Sequence, residues 1–202
     1  MSKSEKTRYI MARPLRYGIK RHVQELEKVL FAAQDKVSLN MLREYAVHDT
    51  RLLYKMAARF LPFSPTENQE LISGFILAEK DGEDTISEDG ENEVEQLTNV
   101  LLVRASNFKE VHEFISAAEL AFAVILAVEP EIPNVYDEGW TYQTILNDAF
   151  EFLTNMAEEI ENVKVIEKLY EMTLDHFENR DADDSHWEHK FEELLETLNK
   201  RL

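Results

Sequence analysis

The sequence predicts an all-α fold of about eight helices, laid out as successive helical hairpins in an irregular bundle or a short α-solenoid-like array. Three observations carry that expectation. From Phe114 to Val128 only Ser116 and Glu119 are polar, and a helix apolar nearly all round lies inside a protein with neighbours on several sides. Across most of the remaining chain, apolar residues recur every three or four positions, the period of a helix rather than a strand. The 202 residues also include only five glycines and five prolines, whereas a β-rich chain needs many tight turns built from those residues.

Taken in order, residues 1–16 read as a flexible basic arm, with Lys3, Lys6, Arg8, Arg13 and Arg16, and with Pro14 opposing helix. Residues 17–202 read as a single all-helical domain. Its first helix, 17–34, carries the stripe Ile19, Val23, Leu26, Leu30. The second, capped by Ser38 or Asn40, reaches Phe60 with Leu42, Leu52, Leu53 and Met56 inside and Arg43, Arg51, Lys55 and Arg59 outside. Ser64-Pro65-Thr66-Glu67 is a start signal, with Ser at the cap, Pro at the first helical position and Glu two further on. A third helix follows over 65–79.

Residues 80–93, KDGEDTISEDGENE, hold seven acidic side chains and no aromatic one, and read as a mobile acidic loop. Helix resumes over 92–105, and Ser106 or Asn107 is expected to cap the central helix 107–128, which Pro130 closes. Its apolar run, Phe114 to Val128, is shorter than the roughly 20 apolar residues a membrane span requires. After a proline-containing loop at 129–140, helices are expected at 141–162, 163–179 and 185–202. The hairpin spacing is that of helical-repeat adaptor proteins, an analogy of fold alone.

The net charge of −18 is uneven: residues 1–60 balance at +7 and residues 61–202 at −25. Such asymmetry points to a charged partner, in cis or in trans, although acidic helix faces also serve simply to be solvated. With no cysteine in the sequence, disulfides, thiolate catalysis and cysteine-based metal sites are excluded. The first residues lack the apolar core of a signal peptide, so the cytoplasm is the expected setting.

Motifs for chemistry are thin. The five glycines are isolated, and no phosphate-binding loop can be built from them. His112-Glu113 opens like a zinc-protease helix, but Ser116 stands where the second histidine is needed. Glu44 and His48 stand one turn apart and read as a solvated pair. Asp181, Asp183, Ser185 and Glu192 fall at positions 1, 3, 5 and 12 of a calcium-loop pattern. Position 6 is His186 instead of the required glycine, so capping of the last helix explains the acids more simply. Ser106 and Lys109 share the Ser-x-x-Lys spacing of some acyl enzymes without the partner motifs. No metal or cofactor is therefore expected.

Glu119, a carboxylate in an apolar run, is the residue of most interest. It is expected on a narrow polar strip with Ser116, or in a structural ion pair. Arg8, Arg13, Arg16, Lys20 and Arg21 are candidate partner contacts on the basic side, and Glu158, Glu159 and Glu161 on the acidic side. Nucleic acid is a poor fit for the basic run, because 142 following residues with a balance of −25 would repel it. The leading functional expectation is a non-catalytic helical interaction module that meets a protein through an acidic face or an inter-hairpin groove. Two other classes compete with it. One is an acidic mimic of nucleic acid that captures a basic protein. The other is an enzyme or ligand-binding bundle with a pocket near Glu119, His112 and Tyr142.

Overall fold

The computed structural model describes residues 48–61, 63–80, 85–134, 140–179 and 187–202. Thr50–Leu202 forms one compact unit of the chain. Its described residues form seven α-helices: α1 (Thr50–Phe60), α2 (Pro65–Glu79), α3 (Glu88–Glu110), α4 (Phe114–Val128), α5 (Trp140–Glu159), α6 (Val163–Glu178) and α7 (Glu188–Asn199). A 3-10 segment, Glu129–Asn134, follows α4. The fold class is all-α, as the periodicity implied. The basic arm, the helix expected at 17–34, and Glu44 lie outside the described residues, as do Asp181, Asp183 and Ser185.

The packing alternates. Extensive contacts join α1 to α3, α3 to α5 and α5 to α7 in one row, and α2 to α4 and α4 to α6 in another. Among the described residues every extensive helix contact links elements one or two places apart in the chain, which is the arrangement of a short two-row array. Alternate helices run in opposite directions, so the connections gather at two ends. At one end are the short turns 61–64, 111–113 and 160–162 together with the C-terminus. At the other end lie the last turns of α2, α4 and α6 and the first turns of α3, α5 and α7.

The apolar run does become the centre. α4 touches α2, α3, α5 and α6, and Ala117, Ala118, Ala121, Phe122, Val124, Ile125 and Val128 are buried along it. The alanines leave room for neighbouring helices to come close. Phe122 then reaches an aromatic group shared by α5, α6 and α7. Phe191 meets the Phe150 ring edge-on at 5.0 Å, and His176 stands 4.7 Å from Phe122. Burial of such side chains, at about 25 cal/mol per Å² of apolar surface, is the main force holding the rows together.

Two boundaries differ from the expectation. The segment 80–93 is not a loop throughout: Ile86 is fully buried, Lys80 and Ile86 form an antiparallel bridge, and α3 begins at Glu88. Ser87 caps that helix by accepting from the Gly90 amide at 3.2 Å. Glu88, Asp89 and Glu91 then lie in the first turn, where the helix dipole favours anions. The second difference is the break between the long helices, which falls at 111–113 and not at Ser106-Asn107. The Glu113 amide donates to Phe108 O and the His112 amide to Lys109 O, both at 2.9 Å. With His112 at φ 62°, this is a Schellman ending in which histidine occupies the left-handed position that usually takes glycine. Ser64 behaves as the sequence implied. Its hydroxyl accepts from the Glu67 amide, its own amide donates to the Glu67 carboxylate at 2.8 Å, and Pro65 opens α2. The Ser64 amide first, and the Ser64 hydroxyl second, hold the Glu67 carboxyl below the usual carboxylate range.

Candidate functional site

The end of the array that carries the short turns is pinned by arginines reaching across from neighbouring helices. At the end of α1, Arg104 of α3 donates to Ala58 O at 3.1 Å and to Leu61 O at 2.7 Å. At the end of α5, Arg201 donates to Glu158 O and, at 2.8 Å, to Ile160 O. Cations placed on the orphan carbonyls of a helix C-terminus satisfy both the hydrogen bonds and the dipole. Lys109 at the end of α3 reaches Glu159 at the end of α5, Nζ to Oε1 2.9 Å. Three of the cations at this end are thus turned onto the protein itself.

What is left facing outward here is mainly apolar and acidic, with Arg59 and Lys164 among the exposed exceptions. Leu61, Val111, Val163 and Leu202 are large apolar side chains about half or more exposed, and all four stand at this one end. Between the starts of α4 and α6 lies an open pocket of about 270 Å³, lined by His112, Glu113, Phe114, Ile115, Ser116 and Val165. Glu113 in its lining is exposed, and so are Glu110, Glu158 and Glu161 at the same end of the array. The candidate contacts Glu158, Glu159 and Glu161 therefore stand at the same end of the array as the pocket. The exposed valines escaped the sequence reading because each stands at a helix end, outside any apolar stripe. Their signal was there all the same: an apolar side chain in a tight turn beside carboxylates has no core to face.

Glu119 is half-buried on α4. Along 117–128 it and Leu126 are the only residues not buried; seven apart, they share one face with Ser116 (two helical turns). That face is a narrow strip leading away from the pocket. Tyr142 is remote from it, at the far end of the array. It is fully buried in the first turn of α5, and its hydroxyl has no hydrogen-bond partner among the described residues. Burial first, then the negative charges of Glu131, Glu91 and Glu79, push the phenol's titration far up, so it stays neutral. α4 alone separates the two ends by about 22 Å, so His112 and Tyr142 do not line one cavity.

Around Tyr142 the far end is tied by ion pairs. Arg51 grips Glu79 with two bonds, 2.8 and 2.6 Å. Lys55 reaches Glu93 at 2.6 Å and Gln96 at 2.8 Å, and Lys80 reaches Glu131 at 2.8 Å. The arrangement joins α1, α2, α3 and the 3-10 segment by charge, which suits a structural role. Of the calcium-loop pattern, the described residue Glu192 is exposed on α7. Among the described residues no group of three or more histidine and carboxylate side chains is placed to hold a metal, and no helix is long and apolar enough to cross a membrane. Compared with protein families, with curated proteins and with solved structures, the chain matches none.

Proposed function

We propose that Thr50–Leu202 is a helical protein-interaction module that meets its partner with the end formed by the short turns. The observation that carries this reading is that four of the eight exposed large apolar side chains among the described residues, Leu61, Val111, Val163 and Leu202, stand at one end of the array. Large apolar side chains scattered singly over a surface need no explanation, but a group of them rimmed by polar residues marks an interaction site. The arginine and lysine bonds beneath add a second support, since they hold the turns in place before any partner arrives, and a preorganised surface loses less entropy on binding.

The test is a comparison of full-length protein with the Val111→Asp, Val163→Asp double variant. Both would be used as bait in lysate of the source organism, with quantitative mass spectrometry and a melting curve for each bait. Because both valines are exposed, the variant should melt within a degree or two of wild type. The expected result is loss of a defined set of captured proteins. Capture of the same set by both baits would sink the reading.

A further inference from the structure

Resting on that reading of the end surface, we infer that its partner is a short segment with an apolar anchor residue flanked by lysine or arginine. The pocket between the starts of α4 and α6 argues for the anchor. At about 270 Å³ it lies just below the roughly 300–1,000 Å³ typical of cavities that enclose a small-molecule ligand. It is also open to one side and has Phe114, Ile115 and Val165 in its lining. An inserted side chain suits such a recess better than an enclosed cofactor.

Charge complementarity argues for the flanks. Glu113 lines the pocket, Glu110 stands one turn before it at the end of α3, and Glu161 stands two residues before Val163. All three are exposed, and no ion pair joins them to another described residue. Three of the cations at this end are engaged elsewhere: Lys109 on Glu159, and Arg104 and Arg201 on helix-end carbonyls. Lys164 on α6 and Arg59 in the last turn of α1 are exposed and stand against the trend, but Glu110, Glu113, Glu158 and Glu161 outnumber them. A segment bearing Lys or Arg on both sides of its anchor would meet charges that nothing else in this unit satisfies, and exposed complementary charge raises both encounter rate and specificity.

The surface also sets a length. The turns 61–64, 111–113 and 160–162 end three neighbouring hairpins, and packed helices lie about 8–10 Å apart. Two such steps make about 20 Å, which is the length of some six extended residues or thirteen helical ones.

Fluorescence anisotropy with three labelled synthetic peptides of about 14 residues tests this on the full-length protein. The first alternates Leu and Lys at helical spacing, the second replaces each Lys by Glu, and the third keeps Lys but replaces each Leu by Ser. The first should bind, weakening as salt is raised, and the other two should bind at least about tenfold more weakly. The triple variant Glu110→Gln, Glu113→Gln, Glu161→Gln should lose about fivefold in affinity for the first peptide. Glu171→Gln, Glu178→Gln, Glu192→Gln makes the same charge change on the outer faces of α6 and α7 and should leave the affinity unchanged. Equal losses in both triple variants, or equal binding of the Lys–Ser peptide, would overturn the inference. If the first peptide fails to bind while the valine double variant still loses its captured proteins, the end surface is an interface whose partner is not cationic. If neither experiment responds, the interaction reading itself falls.

Discussion

Gly90 lies so close beneath Ile86 that a methyl group on its Cα would stand 2.8 Å from Ile86 Cγ2. Ile86 is fully buried, and the same methyl would meet Glu79 Cβ at 3.4 Å, so the neighbours have little room to yield. Gly90→Ala should therefore lower stability by about 1 kcal/mol or more, although alanine is the better helix former by nearly that amount. Gly74 in the middle of α2 offers the control. Its added methyl would meet only the tip of the Tyr54 side chain, the hydroxyl at 3.1 Å and ring carbon Cε1 at 3.6 Å. Gly74→Ala should raise stability by up to about 0.5 kcal/mol. Urea denaturation of the two variants checks the opposite signs.

The left-handed backbone of His112 makes a similar pair. Histidine tolerates this conformation better than most residues but still bears part of its cost. His112→Gly removes that strain, loses the His112–Phe114 ring contact at 5.7 Å, and should gain roughly 0.5 kcal/mol. His112→Val places a branched side chain at positive φ and should lose about 1 kcal/mol or more. Equal stability of the two variants would show that the Schellman ending is not what terminates α3.

His176 gives the unit a direction of pH dependence. Burial, in a site whose nearest ring is Phe122, lowers its titration below 6.5, and Asp175 only partly opposes that shift. The folded state therefore binds its proton less readily than the unfolded state does. The contribution of neutral His176 is complete above pH 6.5 and is lost as the pH falls from 6.5 through the lower folded value. Melting curves at intervals between pH 7.5 and pH 5 should fall less steeply for His176→Gln than for wild type. Parallel curves would mean that other groups set the acid response.

Tyr142 keeps a hydroxyl in the interior with no partner among the described residues. Removing a buried donor that has no acceptor costs nothing and relieves a desolvation penalty, so Tyr142→Phe should be neutral or gain up to about 1 kcal/mol. A loss of 1 kcal/mol or more in thermal or chemical denaturation would instead reveal a hydrogen bond to ordered water at the far end.

The features legible in the sequence were those with a periodic or local signature. The apolar run of α4, the Ser64–Glu67 capping box and the stripes of α5 to α7 each state their structure within a few residues. The start of α3 was missed because Gly90 and a dense acidic run resemble a loop. Acids are equally at home in a first turn, and only the burial of Ile86 decides between the two readings. The end of α3 was missed for the converse reason. Ser106 and Asn107 look like caps, yet α3 runs through them, carrying Leu101, Ala105 and the half-buried Phe108 against the core. The surface residues Val111 and Val163 became neighbours of one pocket only through the alternation of the two rows, which no local pattern encodes.

That alternation has a kinetic consequence. When each helix meets those one or two places away, only short stretches of chain must be closed before a contact forms, and helical proteins of such low contact order fold in microseconds to milliseconds. Energy shared between near neighbours also makes stability approximately a sum of local terms, as in a one-dimensional lattice. Among the described residues α4 has neighbours on both sides within its row, whereas α1 and α7 each have one. Opening should therefore begin at the outer helices and travel inward, and the amides of Leu120 to Val124 should be the last to exchange with solvent.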